Sequence, residues 1–265
     1  MTKRGLYRCR GCDYQASVTA GTIFQDTRFP LRTWFWVIWR MTSQKQGISA
    51  LGVQRELKLG SYRTAWSWLH KLRRALVRPG RNRLSGSVEV DETYIGGKQP
   101  GKRGRGAAGK VLVLIAVEVT GGRIGRIRLR RVPDAAADSL TPAVVENVEP
   151  GSEVRTDGWR GYNGLGSAGY TRLIVRDDAE AGENELLHVH RVATLLKRWL
   201  LGTHQGAVQP SHLDYYLDEF VFRFNRRNSR SRGLLFRRFL EQAVVTKPAS
   251  GCDLTVVKST PHNLW

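Results

Sequence analysis

Carboxylates are scarce in this chain: 23 Asp and Glu stand against 43 Lys and Arg in 265 residues. The net charge of +20 calls for a partner that is itself densely negative, nucleic acid first of all. Cysteine is rarer still. Three are present, two of them in Cys9-Arg-Gly-Cys12, which excludes a disulfide framework and points to a reducing cytoplasm. No apolar run is long enough to span a bilayer, and no signal peptide opens the sequence, so a basic protein seated on a membrane is the poorer reading. What is present is apolar content ample for a proper core, in one large domain or a few small ones. Basic residues run from end to end rather than in one tail, which favours several DNA contacts over a single appended arm.

Two aspartates each close a short strand-like run, Asp91 in Ser87-Val-Glu-Val-Asp-Glu-Thr-Tyr and Asp157 in Glu153-Val-Arg-Thr-Asp-Gly-Trp. Both runs alternate apolar and polar residues, the period of a half-buried strand. Val88 and Val90 therefore point one way and Glu89, Asp91 and Thr93 the other. A carboxylate on a rigid strand end is well placed to grip a hard divalent cation through oxygen, and metals held so can clamp an in-line phosphoryl displacement. Alone, each aspartate also fits an ordinary residue before a turn. Together, in so basic a chain, they point to metal-dependent chemistry on a phosphate backbone.

Tyr7 to Thr22 reads as one knuckle of a zinc ribbon and its strand. Structural zinc takes four ligands, and Cys9 and Cys12 are one pair, so Zn2+ would have only an incomplete site; two reduced surface thiols are the stronger expectation. Trp34, Trp36 and Trp39 mark a buried helix opened by Pro30. A helix from about Ser49 to Leu57, a turn at Gly60 and a second helix from Ser61 form a helix-turn-helix pattern. Its second helix would bring Arg63, Ser67 and His70 to the major groove and Lys71, Arg73 and Arg74 to phosphates, the alternative being a structural helix pair with a solvated basic face. Gly96 to Lys110 is too glycine-rich to pack and lacks the ending of a P-loop. Its Lys98, Lys102, Arg103 and Arg105 suit a DNA-embracing flap, or simply a solvated hairpin loop.

Residues 110–119 form a continuous apolar strand, Arg123 to Arg131 a third, Ala135 to Asn147 a helix, Glu153 to Thr156 a strand, Leu173 to Val175 another, and long helices follow. That order is the ribonuclease H-like architecture: an α/β core with a mixed five-stranded sheet and helices, in which the first and fourth strands lie side by side and bring Asp91 and Asp157 together. The domains expected are a partial zinc-ribbon remnant over 1–28, a mostly helical DNA-binding region over 29–80, a catalytic domain over 86–245 and an irregular tail over 246–265.

The chain resembles a bacterial insertion-sequence transposase of the acidic-triad (DDE) superfamily, in the branch with a zinc ribbon, a helix-turn-helix and a ribonuclease H-like core. The resemblance rests on Tyr7-Arg-Cys-Arg-Gly-Cys, Gly47-Ile-Ser-Ala-Leu, Val90-Asp-Glu-Thr-Tyr-Ile-Gly-Gly, Thr156-Asp-Gly-Trp-Arg-Gly-Tyr, Leu196-Lys-Arg-Trp-Leu-Leu-Gly-Thr-His-Gln and Leu217-Asp-Glu-Phe-Val-Phe-Arg-Phe-Asn-Arg-Arg. It implies metal-assisted cleavage at element ends and joining of the freed 3′ hydroxyls to a target strand, with no covalent enzyme intermediate. In this superfamily the third ligand is usually a helical Glu with a basic residue seven positions on. Lys197 fits the basic position and His190 the ligand position, two helical turns apart on one face. Glu183 and Glu185 are rivals that lack the matching lysine. A His ligand shifts the expected cofactor from Mg2+ toward Mn2+, because imidazole is softer than carboxylate. Further expectations are a phosphate-positioning role for Lys197, a DNA contact for Arg198, double-stranded DNA as partner, a homodimer or larger assembly on it, and residence on a prokaryotic nucleoid. The rival classes are an inactive remnant that only binds DNA, and a resolvase or RNA-strand hydrolase of the same fold, against which the helix-turn-helix pattern speaks.

Overall fold

Period-two alternation builds the centre of the molecule. Along β4 (Val111–Thr120), Leu112, Leu114 and Ala116 are buried toward one face and Val113, Ile115 and Val117 toward the other. A strand buried on both sides needs helices on both sides. The first is α4 (Ala137–Asn147), which packs Leu140, Ala143 and Val144 against the even residues; α5 (Leu187–His204) and α6 (Leu213–Phe224) cover the odd ones with Val192, Leu196, Leu217 and Phe220. The other strands are β3 (Ser87–Ile95), β5 (Arg123–Val132), β6 (Glu153–Thr156) and β7 (Thr171–Ile174), in the order β5-β4-β3-β6-β7. The first three are antiparallel; β6 runs parallel to both β3 and β7. The mixed five-stranded sheet with helices, read from the sequence as ribonuclease H-like, is this core, and the first long strand does lie beside the fourth.

The computed structural model describes residues 6–78, 80–96, 110–175, 186–206, 208–250 and 254. They divide into two units, residues 79–228 carrying the sheet, and residues 1–78 together with 229–265. The second unit is mostly helical. Its short hairpin β1 (Tyr7–Arg8) and β2 (Gln15–Ala16) precedes α1 (Leu31–Ser43), α2 (Ala50–Glu56) and α3 (Tyr62–Arg74). Ser49 caps α2 by accepting the Gly52 N–H, and Trp34 of α1 stacks on Trp68 of α3 with ring centroids 4.3 Å apart. Trp34 is core as expected, Trp36 is half-buried and Trp39 stays exposed. Where the sequence extends the catalytic domain to residue 245, the structure ends the sheet unit at Asn228. The last helix, α7 (Arg232–Val245), buries Leu235, Phe239 and Ala243 and packs on α1, with Phe236 edge-on to Phe35. An amphipathic stripe alone does not say which neighbour it will cover. No described helix is long and apolar enough to cross a membrane.

Candidate active site at the strand ends

β3 and β6 are parallel with Glu89 opposite Arg155; Asp91 and Asp157 each follow two residues later, and the Asp157 charge is near enough to act on Asp91. The cross-strand partner of Asp91 is Ile115, which lies on the α5 side of the sheet. On that side His190 Nε2 stands 3.3 Å from Asp91 Oδ2, with Asp91 only 22% exposed and His190 52%. Burial, and then the neighbouring Glu92 and Asp157 carboxylates, push the Asp91 carboxyl up to about 6, against the pull of the Glu92 N–H and His190. Lys197, exposed two turns beyond His190, senses Asp91 as well. Its ammonium is held below the usual range by partial burial and by Lys110, and Asp91 opposes both. His190 thus touches Asp91, and the charges of Asp157 and Lys197 are near enough to act there.

Three side chains, Arg172, Tyr162 and Glu89, hold the arrangement. Arg172 on β7 donates from Nη2 to the Asp157 and Trp159 carbonyls, both at 3.0 Å, from Nε to Thr156 Oγ1 and from Nη1 to Asn163 Oδ1. Asp157 itself accepts the Trp159 N–H on Oδ1, closing a tight turn. Tyr162, fully buried, donates its hydroxyl to Glu92 Oε2 at 2.6 Å and so ties the turn after β6 to the residue next to Asp91. Burial first, then Glu92, raises the Tyr162 phenol well above its ordinary value, so it remains a donor. Glu89, 1% exposed, accepts the first-turn N–H groups of α5. A charged residue at a strand position that faces an apolar helix was the available signal for Glu89; no local pattern marks Arg172.

Gly161 shows how tightly that turn is packed. A Cβ there would lie 2.5 Å from the Ala135 carbonyl oxygen and 2.7 Å from Trp159 Nε1. The Gly161→Ala variant is therefore expected to lose roughly 1–3 kcal/mol in urea unfolding, the cost of overpacking against backbone. An unchanged midpoint would contradict this packing.

Residues 83–225 match the sequence profile of the ISXO2-like transposase domain. The chain belongs to this transposase family. It is an insertion-sequence transposase of the DDE type. It is also 28% identical over 237 residues to an uncharacterized protein in transposable element ISH50 of Halobacterium salinarum, covering 82% of this chain and 77% of that protein. The span matched to the ISXO2-like domain begins before β3, contains Asp91, Asp157, His190 and Lys197, and ends on Asn225 at the close of α6. Among the described residues, no group of three His, Cys, Asp or Glu side chains stands close enough together to hold a metal ion.

The other residues singled out in this transposase divide three ways. Lys98, Lys102, Arg103 and Arg105, with the rivals Glu183 and Glu185, lie outside the described residues. On α3, Arg63 is exposed and Ser67, Lys71 and Arg74 are half-buried, but His70 and Arg73 are 0% and 1% exposed and cannot face a DNA groove. The correction has a plain cause. Beyond the stripe of Ala65, Trp68, Leu69 and Leu72, burial continues around the helix to His70, which lies against the Trp66 ring at 4.0 Å, and to Arg73. Burial also holds the Lys71 ammonium below its usual range, against Asp26 and together with Arg74. Arg198 is exposed on α5. Cys9 and Cys12 are exposed free thiols of the β1–β2 hairpin, and N–H groups of Gly11 and Cys12, with the Cys12 side chain, lower the Cys9 thiol from its ordinary value.

Proposed function

We propose that this transposase cuts the ends of its insertion sequence and joins them to target DNA by metal-dependent phosphodiester hydrolysis and transesterification, with Asp91, Asp157 and His190 as the metal-holding residues. The observation that carries the proposal is the 3.3 Å approach of His190 to Asp91, at a strand end where the β3–β6 register delivers Asp157. The donor set fits a divalent cation. His190 touches Asp91, the Asp157 charge acts on it, and the Asp91 carboxyl is kept from ionising easily by burial and by its neighbours, a strain that positive charge would relieve. DDE transposases generally use divalent metals. When bound, such a cation supplies a Lewis acid and lowers the pKa of attacking water.

The chain's own residues do the rest. Asp91 and Asp157 present oxygens from adjacent rigid strands, and His190 adds a nitrogen that favours Mn2+ over Mg2+. Lys197, which feels the like charge of Lys110, gains when a DNA phosphate binds beside it. Arg198 adds to that cationic surface, and Lys98, Lys102, Arg103 and Arg105, outside the described residues, are assigned to DNA phosphates as well. We assign Arg63 and Ser67 of α3 to base recognition and Lys71 and Arg74 to phosphates, in a helix-turn-helix role for residues 29–80. Zinc at Cys9 and Cys12 is not part of the proposal. Assembly of two element ends implies a homodimer or larger complex on the DNA.

The experiment is cleavage of labelled element-end DNA, with gel-shift binding measured in parallel. Wild type should cut in Mn2+, more slowly in Mg2+ and not in EDTA. Asp157→Asn should bind DNA normally and cut at least about 100-fold more slowly, and His190→Ala should lose about 10–100-fold with its preference for Mn2+ reduced. Binding without cleavage by wild type in Mn2+ would select the DNA-binding remnant instead. Full activity of Asp157→Asn would remove that residue from the chemistry.

A further inference from the structure

We infer that Glu89 is a positioning residue: a carboxylate of the sheet that caps α5 across the fold and so sets where His190 meets Asp91. The inference rests on the metal-binding function proposed above and adds to it a residue that no motif assigns.

Helix α5 has no cap of its own. The residue before it is Leu186, which has no polar side chain to accept from the first-turn N–H groups. Glu89 fills that role from 99 residues away. Its Oε2 accepts the His188 and Val189 N–H groups, both at 2.9 Å, and its Oε1 lies 2.7 Å from His188 Nδ1. The other ring nitrogen of His188, Nε2, reaches the Gly122 carbonyl in the β4–β5 turn at 3.1 Å. The start of the helix is thereby fixed to two points of the sheet.

Position gives this anchor its consequence. Glu89 and Asp91 are two apart on one face of β3, and His188 and His190 are two apart in the first turn of α5. The capping contact and the His190–Asp91 contact are neighbouring rungs between the same strand and helix. A slip of one residue along α5 would displace His190 by about 1.5 Å and turn it by about 100°, which takes its nitrogen away from the aspartates. The rival role, Glu89 as a metal donor itself, conflicts with its bonding. Both oxygens already serve α5, the side chain is 1% exposed, and drawing it onto a cation would strip the helix start of its acceptor.

The full chain tests this with readouts that do not depend on turnover. In metal-free protein, amide exchange of His188 and Val189 should quicken at least about tenfold in Glu89→Ala, and the free Mn2+ giving half-occupancy, followed by electron paramagnetic resonance, should rise about 10–100-fold. Gel-shift affinity for element-end DNA should stay unchanged. Glu89→Gln, which keeps an acceptor oxygen for the two N–H groups, should remain within about threefold of wild type in both readouts. Wild-type Mn2+ occupancy in Glu89→Ala overturns the inference. So does a Gln variant as impaired as the Ala variant, since that outcome makes the charge, and not the cap, the requirement. Should Glu89→Ala not fold, the Gln variant and His188→Ala decide in its place: His188→Ala leaves the two N–H acceptors intact and should weaken Mn2+ less than tenfold, and a larger loss overturns the cap. An Asp91→Asn arm tests the underlying function separately. If that substitution leaves Mn2+ binding intact, the metal assignment falls, whereas a failure confined to Glu89→Ala removes only the positioning role.

Discussion

Asp91→Asn is expected to lower metal-dependent cleavage by about 1000-fold or more and, at the same time, to make the metal-free protein more stable at pH 8. The first effect follows from taking a charged oxygen from the cation, whose stabilisation of the developing charge is worth several kcal/mol, at about 1.4 kcal/mol per factor of ten. The second follows from the environment of Asp91. Its carboxyl is pushed from 3.8 up to about 6, first by burial and then by Glu92 and Asp157. A raised pKa means that the fold prefers the protonated form. The stabilising proton is fully in place below about pH 4, is lost as pH rises through about 6, and is gone at pH 8. Asparagine carries no charge at any pH, so relief of the buried carboxylate should be worth roughly 1–3 kcal/mol at pH 8 and little at pH 4. Urea unfolding in EDTA at the two pH values measures it. A variant no more stable than wild type at pH 8 would show that Asp91 is not strained.

The same titration sets how the metal responds to acid. Since a ligand carboxylate must be deprotonated, apparent Mn2+ affinity should be flat above about pH 6 for this group and fall about tenfold for each unit below it. Under the proposed function, an Asp91 carboxyl that is a poor ion in the metal-free protein and a ligand in the loaded one ties folding to metal loading. Active sites commonly hold such tension where a core residue would remove it.

The sheet was legible from Val88, Val90 and the unbroken run of residues 110–119, because a residue's side of a strand is decided by parity alone. Parity also placed Asp91 on the face that α5 covers, and the seven-residue step placed His190 and Lys197 on one side of that helix. The misjudged positions share a different cause. His70 and Arg73 carry polar heads on a helix whose burial spreads beyond its apolar stripe, and composition gives no sign of how much of a helix its neighbours enclose. Helix α7 has a readable stripe but no readable partner. Glu89 and Tyr162 act across long sequence separations, 99 residues for Glu89 and His188 and 70 for Tyr162 and Glu92, which no local window can span, while Arg172 acts within its own neighbourhood but in no motif. The proposed donors could be named from the sequence; the parts played by Glu89 and Arg172 could not.

Arg172→Ala should then cost activity out of proportion to its distance from the metal donors. Its guanidinium gathers Thr156, Asp157, Trp159 and Asn163 in one planar fork, with Tyr162 beneath it 6.0 Å from the ring centre. Two of its bonds fall on carbonyls of the turn that presents Asp157, so their loss frees the backbone on either side of Gly158. Charge-assisted bonds of this kind contribute about 1.5–3 kcal/mol each, though not additively, and the site is only half-buried. A loss of about 2–4 kcal/mol in stability and of about 10–100-fold in cleavage is expected, the latter measured well below the melting temperature so that unfolding does not contribute. Lysine at the same position should recover little, because a point charge cannot serve four acceptors held in one plane. The decisive quantity is the ratio of the two effects. If Arg172→Ala loses stability but cuts element-end DNA within about twofold of wild type, the Asp157 turn holds its shape without the fork; a matching rise in half-saturating Mn2+ would place the guanidinium's influence on the donor geometry.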